Sequence, residues 1–127
     1  MKRETYGFII NEDIQFDLVN KRLVRITTAH SNKSVACSVV FLNATLTRFL
    51  EYLLMKKVTG HCNIPKDLLI RYVWENHGMS ASSQLLWRTV RELKDKFTMV
   101  GLNSDFITRS GNSCYSINIQ KITRLLY

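Results

Sequence analysis

Ser82-Ser83-Gln84-Leu85-Leu86-Trp87-Arg88-Thr89-Val90-Arg91-Glu92-Leu93-Lys94-Asp95-Lys96-Phe97 is the stretch whose reading decides the fold. Leu86, Val90, Leu93 and Phe97 stand at spacings of 4, 3 and 4. At helical pitch these four lie within about 60° of one another, so one edge of an α-helix is apolar. The opposite side carries Gln84, Arg88, Arg91, Glu92 and Asp95, with two arginines at i, i+3. Ser80-Ala81-Ser82-Ser83 supplies candidates for the N-cap. A helix over 82–97 is a rod of roughly 24 Å.

Upstream, Leu46, Phe49, Leu50, Leu53 and Leu54 form one continuous apolar stripe at spacings of 3, 1, 3 and 1. Asn43 or Thr45 can cap this first helix, Lys56 and Lys57 favour its end, and Gly60 stops it. Pro65 opens a second helix of about 11 residues, because proline is favoured in a first helical turn. Its stripe is Leu68, Leu69, Tyr72 and Val73, followed by Trp74, and Asn76-His77-Gly78 ends it.

Downstream, residues 99–105 read as a loop, and residues 106–119 as a β-hairpin. Gly111-Asn112 gives the signal of a two-residue turn. That turn sets Ser110 opposite Ser113, Thr108 opposite Tyr115 and Phe106 opposite Ile117. Phe106, Thr108, Tyr115 and Ile117 then share one face, and Ile107 and Arg109 fall on the other. Residues 120–127 are ambiguous between a last helical turn and the start of a further segment.

Residues 6–42 read as strands. Phe8-Ile9-Ile10 is a short apolar run, and Ile14, Phe16 and Leu18 alternate with polar neighbours or Val19. Asn20-Lys21 is a turn, and Leu23 to Thr27 is a strand rich in β-branched residues. Residues 29–34 form a polar loop, and 35–42 a fourth strand. Strands grouped before helices predict an α+β fold with an antiparallel sheet. The predicted organisation is one domain over 1–127: a sheet over 6–42, a three-helix core over 43–98 and a hairpin over 105–119.

The chain has 127 residues and a formal charge of +8, enough for one domain with its own core. Residues 41–127 hold twelve basic and six acidic side chains, net +6. A basic second half points to a polyanion, nucleic acid before anionic membrane. No apolar stretch approaches the roughly 20 residues of a membrane span, and no secretory signal is expected. Cys37, Cys62 and Cys114 are too widely spaced for a zinc ribbon or a disulfide framework, so reduced and mostly buried thiols in a cytoplasmic protein are expected. His61 beside Cys62 has no second ligand pair, so no metal and no cofactor is expected. No nucleophile–base pair, carboxylate pair or phosphate-cradling glycine loop is visible, so no enzymatic activity is expected.

A short second helix, a turn, an amphipathic third helix and a hairpin follow the order of a winged helix-turn-helix. The outer side of the third helix is free to enter a DNA major groove, and Arg109 in the hairpin meets the negative potential of an adjacent minor groove or backbone.

Residues 42–117 resemble the effector domain of the OmpR/PhoB type, closest to the ToxR/CadC-like transmembrane regulators. The resemblance rests on four segments. Leu46-Thr47-Arg48-Phe49-Leu50-Glu51-Tyr52-Leu53-Leu54 resembles the first core helix. Ile64 to Trp74 resembles the "V-S-R-x-x-L-L-x-x-V-W" segment. Val90 to Phe97 resembles the "I-S-x-L-R-K-x-L" end of the recognition helix. Ile107 to Tyr115 keeps the spacing to the wing tyrosine. The strand-rich amino-terminal part fits that family's amino-terminal sheet. Gly111-Asn112-Ser113-Cys114-Tyr115 departs from the usual "R-G-x-G-Y", Pro65 replaces a capping serine, and the 29–34 loop is long for the family.

The resemblance implies sequence-specific binding to double-stranded promoter DNA and transcription regulation. The groove-facing candidates it carries over are Gln84, Arg88, Thr89, Arg91 and Lys94, with Arg109 in the wing. Arg88 or Arg91 is suited to guanine, Gln84 to adenine, and Thr89 and Lys94 to phosphates. It further implies self-association on repeated half-sites, RNA polymerase among the partners, and a cytoplasmic domain of a full-length protein anchored in the inner membrane. The alternative is a winged-helix protein–protein module without DNA binding, motivated by Leu85 and Trp87 on the helix flanks. RNA binding is weaker, because no aromatic stacking platform is visible.

Overall fold

The computed structural model, which describes residues 4–26, 38–111 and 113–127, is an α+β arrangement of α-helices and two antiparallel sheets. In chain order the elements are β1 (Thr5–Ile10), β2 (Ile14–Asp17), β3 (Arg22–Arg25), β4 (Val39–Phe41), α1 (Ala44–Val58), β5 (Asn63–Pro65), α2 (Lys66–Val73), α3 (Ser83–Val100), β6 (Ile107–Ser110), β7 (Cys114–Ile117) and β8 (Ile122–Leu126). Short 3-10 turns occupy Glu75–His77 and Ser104–Phe106. The 29–34 loop and residues 35–37 of the expected fourth strand lie outside the described residues.

The larger sheet runs β4-β3-β2-β1-β8. Its register sets Phe8 opposite Phe16, Ile10 opposite Ile14, Phe16 opposite Leu23 and Leu23 opposite Val40. Those apolar side chains all lie on the buried face, which is the period-2 alternation of the sequence in physical form. The β2–β3 turn is held by Asp17. Its carboxylate accepts from the Asn20 backbone N–H at 3.2 Å and side chain at 2.8 Å, and pairs with Arg22 Nε at 3.1 Å. Burial pushes the Asp17 carboxyl up, but the Asn20 and Arg22 donors outweigh it and hold it below its ordinary value.

The expected ambiguity after residue 120 resolves as a strand. β8 pairs antiparallel with β1, setting Ile10 opposite Ile122 and Phe8 opposite Arg124. The chain ends of the described structure therefore lie side by side in one sheet.

α1 begins at its expected cap: Asn43 Oδ1 accepts from the Leu46 N–H at 2.8 Å. Leu46, Phe49, Leu50, Leu53 and Leu54 are buried, and Gly60 leaves the helix region at φ +93°. The second helix is shorter than the sequence predicts. Ile64-Pro65 belongs to the strand β5, which pairs with β7, and Pro65 stands at the N-cap of α2. The segment past Trp74 tightens into the 3-10 turn and closes at Gly78, φ +76°. α3 is longer than predicted. It runs through Met99 to Val100 and closes at Gly101, φ +90°, because Val100 continues the buried stripe. Among the described residues no helix is long and apolar enough to cross a membrane.

Among the described residues, one charged side chain points into this core. Arg25 lies on the buried face of β3 and is only 7% exposed. Its guanidinium donates to the Val100 carbonyl at 3.0 and 3.2 Å and to the Gly101 carbonyl at 3.2 Å. These are carbonyls that the end of α3 leaves without helical partners. Arg25→Met fills the volume but strands both carbonyls, so it lowers unfolding free energy by about 2–3 kcal/mol, read as a shifted urea midpoint at unchanged slope. Asp17→Asn supplies a pH test. A depressed folded-state pKa contributes stability above the unfolded value and loses it as pH falls through the folded one. The gap in stability between wild type and Asp17→Asn is therefore full at neutral pH and closes in acid, checked by urea titrations at stepped pH.

Candidate nucleic-acid interface

The inner side of α3 is fixed by Leu86, Thr89, Val90, Leu93, Phe97 and Val100, all buried. Ser82 starts the helix by accepting from the Leu85 N–H at 3.1 Å. With those positions turned inward, Gln84, Arg88 and Arg91 are left exposed on the outer side, together with Glu92 and Asp95. With Trp87 they line a shallow, open depression. Among the described residues, the ion pairs are Arg22–Asp17 and Lys121–Glu12. Neither involves Arg88, Arg91, Lys94 or Arg109, so none of these side chains makes a direct ion pair among the described residues, while Glu92 and Asp95 share the face of Arg88 and Arg91.

The hairpin stands beside this helix in a register that differs from the sequence expectation. Ser110 pairs with Cys114, Arg109 with Tyr115, Thr108 with Ser116 and Ile107 with Ile117. Residues 111–113, three rather than two, connect the strands, with Gly111 at φ +73°. A one-residue change in register exchanges the faces of a strand. Ile107 and Arg109 therefore share the face of Tyr115 and Ile117, where Phe106 and Thr108 were expected. Ile107, Tyr115 and Ile117 are buried there. Thr108 lies on the opposite face, where its hydroxyl accepts from Asn118 Nδ2 at 3.2 Å.

This exchange carries Arg109 to α3. Its guanidinium carbon lies 5.5 Å from the ring centroid of Trp87, and Lys94 Nζ lies 5.6 Å from the same ring. Trp87 and Lys94 are two helical turns apart on one side of α3. Burial pushes the Tyr115 phenol up, and the positive charge of Arg109 across the strand pair acts against that. The sequence left Trp87 unassigned. Its i, i+7 relation to Lys94 was readable, but the arrival of Arg109 was hidden by the hairpin register.

The structure thus brings Gln84, Arg88 and Arg91 together on the outer side of α3, with Lys94 and Arg109 along one flank. It removes Thr89 from that set. Thr89 is 5% exposed, and its hydroxyl donates to the Leu85 carbonyl at 2.9 Å, so it cannot reach a phosphate. The reason is angular: about the helix axis Thr89 falls about 40° from Leu93 and about 20° from Val100, both on the inner stripe. Leu85 and Trp87, which motivated the protein-partner alternative, are half-buried and packed against the core. Trp74 is buried, as its place after the second stripe predicts.

The cysteines depart from expectation. Cys62 is exposed just ahead of β5, where its carbonyl accepts from the Ile117 N–H at 2.9 Å, and Cys114 is half-buried at the other end of the small sheet, opposite Ser110. Cys37 and His30 lie outside the described residues, and His61 and His77 are exposed, as expected of loop residues.

No family model matches the chain, and no curated protein matches it. The site therefore rests on its own geometry. Because the Thr89 hydroxyl serves only its own helix, Thr89→Val is expected to leave duplex affinity within about twofold of wild type and to change stability by less than about 1 kcal/mol. Fluorescence anisotropy and thermal unfolding on one sample check both.

Proposed function

We propose that this chain is a winged-helix, sequence-specific DNA-binding transcription regulator. On this reading α3 is the recognition helix in a major groove, and the β6–β7 hairpin is the wing on the adjacent minor groove or backbone. The observation that carries it is the outer side of α3. Arg88 and Arg91 are exposed there without a carboxylate partner among the described residues, on a helix whose other side is fully packed.

The chemistry supports a division of labour. Arg88 and Arg91 have the fork geometry that matches the guanine O6 and N7 edge, and Gln84 the amide that matches adenine. Lys94 and Arg109 lie on the flank and supply the sequence-independent attraction to phosphates. The net charge of +8 favours approach to a polyanion. The partner is promoter duplex, bound by more than one copy on repeated half-sites. Contact with RNA polymerase and anchoring of a longer protein in the inner membrane follow from the OmpR/PhoB and ToxR/CadC-like resemblance alone.

Promoter duplex is expected to bind at nanomolar to micromolar concentration, with affinity falling steeply as salt rises. Arg91→Ala is expected to cost about 1–3 kcal/mol and to relax preference at one base position. Footprinting on the promoters nearest the coding sequence, followed by anisotropy titrations, reads both. Equal binding by wild type and the Arg88→Ala/Arg91→Ala double variant would remove α3 as the reader.

A further inference from the structure

Two cations from two different elements lie on the ring of Trp87: Lys94 from α3 itself and Arg109 from β6. The hairpin is anchored at its base. Ile107 and Ile117 are buried opposite each other there, and β5 pairs along β7. Its outer end is different. Thr108, Arg109, Ser110, Gly111 and Ser113 are all exposed. Arg109 is thus the side chain of β6 that leaves the open end of the hairpin and lies over a ring fixed in α3.

A guanidinium stacks on an indole face through the ring quadrupole while its N–H groups stay free at the edge. An arginine held this way keeps its donors available and loses less rotamer freedom on binding than a free one. We propose that Trp87 is a positioning residue that fixes Arg109 at a set place relative to Arg88 and Arg91, and so sets the spacing between the base-reading face and the phosphate contact of the hairpin. The inference deepens the DNA reading and rests on it. Trp87 itself touches neither base nor phosphate in this role. It acts through Arg109, and to a lesser extent through Lys94, which its own helix already holds nearby.

The half-burial of Trp87 is part of the device. The indole is half-buried and packed against the core, which restricts its rotamers. Phenylalanine at this position keeps an aromatic face and leucine does not. Trp87→Phe therefore separates loss of the stack from loss of bulk, and it also guards against a leucine variant that fails to fold.

The test has two arms. In the free protein, the Arg109 side-chain protons are expected at ring-current-shifted NMR positions, unshifted in Trp87→Leu and partly shifted in Trp87→Phe. In duplex titrations over a range of salt, Trp87→Leu is expected to weaken binding about two- to fivefold. Its salt dependence should lose about one phosphate contact, while Trp87→Phe stays near wild type. In an Arg109→Ala background the leucine substitution should cost less than it does in wild type, since the arginine it positions is gone. Equal cost in both backgrounds, or unshifted Arg109 resonances in the wild type, overturns the proposal. A wild type that ignores duplex altogether sinks the DNA reading instead, while the resonance arm still decides whether Trp87 holds Arg109.

Discussion

The contact between the Arg25 guanidinium and the last carbonyls of α3 is the constraint on which the rest of the arrangement depends. A charged side chain on the buried face of a strand is costly to desolvate. The carboxyl end of a helix is costly to bury for the complementary reason, since its last carbonyls carry partial negative charge and lack partners. Neither cost is met by packing alone. Both are met together at one relative placement of β3 and α3, so the pair specifies where the helix ends and how it lies on the sheet. An apolar side chain at residue 25 would tolerate many placements. A related contact is made by the half-buried Arg48 of α1, which donates from Nε to the Val73 carbonyl at the end of α2, at 3.1 Å. Two arginines thus close helix ends, Arg25 in the core and Arg48 at a half-buried position.

With α3 fixed at its far end by Arg25 and at its start by Ser82, the larger sheet has to be equally well determined. β1 occupies the decisive position, between β2 and β8. Gly7 shows how closely it is drawn in. A Cβ at that position would stand 2.5 Å from the Phe16 carbonyl oxygen, a distance that only movement of backbone could relieve. On the other side of β1 the pairing with β8 shifts register between Thr5 and Gly7. The irregularity accommodates a strand that approaches one neighbour closely and must still meet the other. Glycine is required there by space rather than by backbone angle.

The helices were legible because burial follows 3.6-residue spacing over several turns. Leu46 through Leu54 and Leu86 through Phe97 have no competing explanation, and the caps Asn43 and Ser82 stand where the stripes begin. The first three strands were legible because one face is buried and one is not. What escaped has physical reasons. β5 is three residues long and contains a proline, so its identity comes from the partner strand β7, far away in sequence. β8 is an edge strand with no fully buried residue, so its sequence has no apolar alternation to read. The hairpin register turned on whether two or three residues form the loop, and Gly-Asn followed by Ser is compatible with both. That single residue decided which face Arg109 occupies. The outer face of α3 was therefore readable from the sequence alone, whereas the flank where α3 meets the hairpin was not. Thr89 was misassigned for a smaller reason: Val100, beyond the expected end of the helix, widens the buried stripe to the side on which Thr89 lies.

The mixture of charges on α3 bears on what its outer side is for. A face built only to hold phosphates would carry cations alone, because every carboxylate on it repels the backbone it must approach. Here Glu92 and Asp95 stand among Gln84, Arg88 and Arg91. Mixed donors and acceptors match the edges of bases, where guanine offers acceptors and cytosine a donor. If this face binds a duplex as proposed, the attraction that the central carboxylates give up has to be recovered at the border. Lys94 and Arg109 lie at that border with no carboxylate partner among the described residues, both over the one ring that joins helix to hairpin. On the proposed DNA reading, selectivity at the centre and attraction at the edge would be two consequences of one placement. That placement is set by the arginine at the other end of α3 and by the strand register that sets Arg109 opposite Tyr115.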